Sequence, residues 1–105
     1  MPDYQVIDRS GDHVLVLLHG ELTNDLRVDR IHDELEQDYV NDGVKRIHVD
    51  LSQVTWIDLE GVAALLDLWR VARRRGKVFE LENITGQPRE KLSTTGVLKL
   101  LGGEG

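Results

Sequence analysis

Five aliphatic residues in a row, Val14 to Leu18, stand between the turn-forming Ser10-Gly11-Asp12 and Gly20. The run falls well short of the roughly 18 apolar residues that a membrane span needs, and nothing longer occurs elsewhere in the chain. It therefore predicts a strand of a folded domain, and its near-continuous hydrophobicity suits a central strand covered on both faces better than an edge. Residues 4–7 alternate apolar and polar ahead of the turn, so the chain is expected to open with a β-hairpin.

Beyond Gly20, helical and extended patterns alternate. Thr23 and Asn24 suit a helix N-cap, and Val28, Ile31, Leu35 and Tyr39 follow at helical spacing up to the breaker Asn41-Asp42-Gly43. Asp29, Arg30, Asp33, Glu34 and Glu36 occupy the other faces, which predicts an outer helix with one stripe inward. Residues 46–51 return to strand alternation, and residues 52–57 read as a connection. A second long helix is expected from Asp58 to about Arg75, with Gly76 as its stop. Val62, Leu65, Leu66, Trp69 and Ala72 form its inward stripe, while Ala64, Leu68 and Val71 widen the apolar arc. That surplus is either covered by a neighbouring helix or left as a partner surface. A strand over residues 77–81 follows, then a short helix opened by Gln87-Pro88 and closed at Gly96, and a last strand over residues 97–101. The tail, residues 102–105, is expected to be disordered.

This order predicts one α/β domain over residues 1–105: a mixed sheet with parallel pairs, an N-terminal β-hairpin, two long helices at about 24–40 and 58–75, and a short third helix. In such sheets function gathers where the carboxyl ends of strands run into helix N-termini. Here those places are residues 20–24 and 56–61.

Charge and residue types exclude several classes of function. A net charge of -6 repels phosphate backbones and anionic lipid surfaces, so direct nucleic-acid binding is not expected, and without a long apolar run neither is membrane insertion. Arg73-Arg74-Arg75 stands beside Gly76, where cations complement the last carbonyls of a helix. The start of the chain lacks the basic and apolar pattern of a signal peptide, which makes a cytoplasmic protein the expectation. With no cysteine there is no thiolate ligand or nucleophile. His13, His19, His32 and His48 form no ligand pattern, and His48, between Ile47 and Val49, reads as a hydrogen-bonded structural histidine. Asp58 and Glu60 have no evident nucleophile beside them and suit a helix start, Asp58 as the cap and Glu60 as a first-turn acid. The chain is expected to be no enzyme, with no catalytic residue, metal or cofactor.

At the two loops the sequence resembles the STAS family, named for sulphate transporters and anti-sigma factor antagonists. Gly20-Glu21-Leu22 resembles the family's Gly-Glu-Leu-Asp turn, Val49-Asp50-Leu51-Ser52 with Val54 the strand leading to its signature, and Ile57-Asp58-Leu59-Glu60-Gly61 the signature, hydrophobic-Asp-Ser-x-Gly. Gly76-Lys77-Val78 and Thr95-Gly96-Val97-Leu98 fall where the family has a glycine-led strand and a late Ser/Thr-Gly-Leu turn. The resemblance covers nearly the whole chain. It implies a protein-interaction module similar to the anti-sigma factor antagonists, whose partner is an anti-sigma factor or related regulator bound through Glu21, Thr23, Asn24, Trp56, Asp58, Leu59, Glu60, Gly61 and Val62.

Two departures bear on control. Leu59 stands where the family carries its phosphorylatable serine, and Thr23 where its first turn carries aspartate. Leucine has no oxygen to accept phosphate, so no phosphorylation is expected at position 59. Glu60 does not replace the phosphate: it projects about 100° away around the helix and carries one charge instead of nearly two. Two other readings stay open, a subunit or scaffold of a membrane transport or stressosome-type complex, and a sensor of a small anionic ligand or nucleotide at the helix N-termini. Homodimerisation is also left open.

Overall fold

A computed structural model of the chain describes residues 3–23, 30, 33 and 43–101. The helix expected over residues 24–40 lies outside the described residues except for Arg30 and Asp33, which are helical, and so does the tail 102–105. Strands β1 (Asp3–Ser10), β2 (His13–Leu22), β3 (Arg46–Ile57) and β4 (Val78–Glu82) form one sheet in the order β1-β2-β3-β4. The β1–β2 pair is antiparallel, as the hairpin requires, and the other two pairs are parallel. Helix α1 (Leu59–Arg74) joins β3 to β4 and packs on β2, β3 and β4, while α2 (Gly86–Thr94) packs on β3 and on α3 (Val97–Leu100).

The expected mixed α/β sheet is therefore present, and β2 is a central strand. Val14, Val16 and Leu18 are fully buried beside Ile47, Val49 and Leu51 of β3 and Phe79 and Leu81 of β4. These residues share one face, because alternate side chains of a strand point the same way. Leu15 and Leu17, on the opposite face, are only half-buried, so that face is less covered than the continuous run implied. Each fully buried leucine or valine contributes about 1.5–3 kcal/mol of transfer free energy, which is how an aliphatic chain with 5% aromatics holds together.

Three local expectations are corrected. Residues 52–57 are not a connection but the second half of β3, paired with β2 as far as Glu21↔Trp56 and Leu22↔Ile57. Register shifts between Leu17 and His19, and again between Gly20 and Glu21, place the buried Val54 and Ile57 three residues apart. A bulge inserts a residue and breaks the period of two by which a strand is recognised. Residues 97–101 are not a strand. Gly96, at φ +78°, turns the chain out of α2, and Val97, Leu98 and Leu101 are buried at the spacing of a helix. A short apolar run fits either period. The inward stripe of α1 is rotated from the expected one: Gly61, Val62, Ala64, Leu65, Leu68 and Ala72 are buried, whereas Leu66 and Trp69 are only partly so.

Candidate functional site

The ends of β2 and β3 lie side by side and are locked to the start of α1. Glu21 is in register with Trp56 and Leu22 with Ile57. The Asp58 backbone N–H donates to the Leu22 carbonyl at 3.2 Å. Asp58 has extended backbone and caps α1, its Oδ1 accepting the Gly61 N–H at 2.9 Å, while Glu60 adds negative charge in the first turn. Gly61 is the closest point of contact. A Cβ there would collide with the Leu22 carbonyl oxygen and approach Ile57 Cγ1 to 2.8 Å, so only glycine lets the helix sit this low on the strand ends.

A further clamp comes from α2. The Gln87 side chain reaches back to Ile57, its Oε1 accepting the Ile57 N–H at 2.8 Å and its Nε2 donating to the Ile57 carbonyl at 2.9 Å. The amide thus stands where the next strand of a ladder would stand, because β4 ends at Glu82, opposite Asp50. Asp50 braces that end: its carboxylate accepts the Ser52 N–H at 2.7 Å and an Asn83 side-chain N–H at 2.8 Å, with Asn83 in the left-handed region at φ +55°. In the sequence Gln87 announces only a helix start, beside Pro88. Its partner is 30 residues away, and no local pattern announces such a contact.

The residues singled out from sequence divide into two groups. Trp56 is 49% exposed and Leu59 63%, and both Glu21 and Glu60 are exposed around them. Thr23 and Asp58 are half-buried. Gly61 and Val62 are buried and hold the loop in place. Asn24 lies outside the described residues. An exposed tryptophan and leucine bordered by carboxylates can give a partner apolar contact area and a charged rim, the anatomy of a protein interface.

The histidines gather elsewhere. His13 and His48 stack with ring centroids 5.2 Å apart and ring nitrogens 3.3 Å apart. His48 Nδ1 lies 2.7 Å from the Glu82 carboxylate, although the approach is outside hydrogen-bond geometry, and His13 Nε2 lies 3.3 Å from Asp12. The contacts tie β2, β3 and β4 together, as expected of a structural His48. His32 lies outside the described residues. Among the described residues no three of His, Asp and Glu are placed to hold a metal ion.

A family model described as Mlab, STAS domain matches residues 6–102. No curated protein sequence matches. Solved structures that share the fold include the following three. The anti-sigma factor antagonist SpoIIAA of Bacillus, in its unphosphorylated form, is 20% identical with a TM-score of 0.73, over 90% of this chain and 82% of that one. An anti-sigma factor antagonist from Mycobacterium paratuberculosis is 19% identical with a TM-score of 0.74, over 96% and 83%. A sulfate transporter family protein from Wolinella succinogenes is 21% identical with a TM-score of 0.71, over 86% and 71%. At these identities the likeness establishes the common architecture.

Proposed function

The chain belongs to the STAS domain family, and on that footing we propose that it is a non-enzymatic protein-interaction module, an anti-sigma factor antagonist-like regulator that acts by partner switching. Its partner is an anti-sigma factor or related regulatory protein, bound through the ends of β2 and β3 and the first turn of α1. The observation that carries this reading is the exposure of Trp56 and Leu59 on a loop that is otherwise pinned by Asp58, Gly61 and Gln87. Rigid, desolvatable anchors of this kind lose little entropy on docking.

The same loop carries Leu59 in the place that the family resemblance gives to a phosphorylatable serine. The complex is accordingly constitutive at this position: incubation with ATP and a cognate kinase-type partner leaves Leu59 unmodified and does not release the complex through it. The test is a titration of wild type, Leu59→Ser and Leu59→Asp against the partner recovered by pull-down, with folding checked by circular dichroism. Leu59→Asp is expected to weaken binding by about 1–3 kcal/mol, because a carboxylate would be desolvated without a partner. Equal affinity for wild type and Leu59→Asp would show that this loop is not the binding surface. A second reading, a subunit or scaffold of a membrane transport complex docking through the same face, draws support from the fold shared with the sulfate transporter family protein. Recovery of permease or ATPase components in place of a sigma-factor regulator would decide for it.

A further inference from the structure

The arginines of α1 do more than complement its last carbonyls. Beside the C-terminal half of the helix lies an open depression of about 630 Å³, lined among the described residues by Asp67, Arg70, Arg73 and Arg74, with the Arg70 side chain 62% exposed. Arg70, Arg73 and Arg74 stand three and four residues apart, so their side chains leave the helix on one side. The first two are held in place by their own helix. The Arg73 guanidinium lies 5.3 Å from the centroid of the Trp69 ring, and Arg70 Nη1 lies 3.3 Å from Asp67 Oδ1.

These restraints leave most donors available. The cation–π contact with Trp69 fixes the position of the Arg73 guanidinium without using a hydrogen-bond acceptor. The Asp67 contact engages one nitrogen of Arg70 and leaves the others. Among the described residues the lining side chains carry three positive charges against one negative, in a chain whose net charge is -6. Three guanidinium forks supply more donors than a carboxylate with two oxygens can accept, and suit a phosphate with three terminal oxygens better.

We propose that this depression is an anion site that takes a phosphate-bearing ligand through Arg70, Arg73 and Arg74. Its first arginine, Arg70, stands 11 residues along the helix from Leu59, about 16 Å at 1.5 Å per residue. It is therefore a place distinct from the partner surface proposed above. A small soluble molecule and a lipid headgroup can each supply the phosphate, and the chemistry that recognises it is the same.

The test separates the sources. Full-length protein is titrated with inorganic pyrophosphate and followed by calorimetry and by the arginine side-chain NMR signals. In parallel it is co-sedimented with vesicles of phosphatidylcholine, with and without phosphatidylglycerol. Saturable binding of pyrophosphate, or retention only by the phosphatidylglycerol vesicles, is expected. In either arm Arg73→Gln with Arg74→Gln should weaken it at least ~10-fold, as loss of charge-assisted bonds requires. Arg73→Lys, which keeps the charge but not the fork, should fall between. Circular dichroism and the retained affinity of the double variant for the loop partner guard against misfolding. Absence of binding in both arms, or binding that survives replacement of all three arginines by glutamine, would overturn the proposal.

Discussion

The two halves of β3 are made differently. From Ile47 to Leu51 every residue is buried, with β2 on one side and β4 on the other. From Ser52 to Ile57 only Val54 and Ile57 are buried, β4 has ended, and the neighbour at Ile57 is the side chain of Gln87. The first half is scaffold. The second trades regular pairing for presentation: it keeps its place through a few specific bonds and leaves Trp56 half in solvent.

Substitutions can test that contrast directly. Leu51→Ala, at a side chain only 1% exposed, should remove about 2–5 kcal/mol of stability by chemical denaturation while leaving partner affinity nearly unchanged in the folded fraction. Gln87→Ala should destabilise by about 1–3 kcal/mol, since it strips both backbone groups of Ile57 of their partner. Its more telling readout is faster amide exchange at Ile57 together with weaker partner binding, because the loop would be held less firmly. Trp56→Ala should alter stability by less than about 1 kcal/mol, yet weaken the complex by about 2 kcal/mol or more if the tryptophan is a central anchor. A large stability loss at Trp56, or none at Leu51, would erase the distinction between the halves.

The same contrast explains what could be read from sequence. The buried half of β3, the β1–β2 hairpin and the run from Asp58 to Gly76 carry regular periods and local punctuation, and their boundaries are close to those expected. The Asp58 cap was legible too, because capping is a contact between residues three apart. The bulged half of β3 was not, since two register shifts remove the alternation that marks a strand. Nor was α3, whose apolar run is too short to fix a period. In α1 the sequence supplied a wide apolar arc but not the direction from which the sheet approaches it, so Leu66 and Trp69 were placed too deep and Ala64 and Leu68 too shallow. At the site, the residue types of the loop were apparent, whereas the exposure of Leu59 and the clamp by Gln87 depend on tertiary neighbours far along the chain.

The Gln87 clamp has a consequence for solubility. A strand that outruns its neighbour presents unpaired N–H and C=O groups, a template on which a foreign strand can grow. Beyond Asp50 no strand among the described residues pairs with the β4 side of β3, and this stretch runs to an exposed tryptophan. By taking both backbone groups of Ile57, a single side-chain amide occupies the outermost rung and denies an incoming chain its foothold. The residue that steadies the binding loop thereby also lets a sticky surface stay open to solvent without inviting strand-by-strand aggregation.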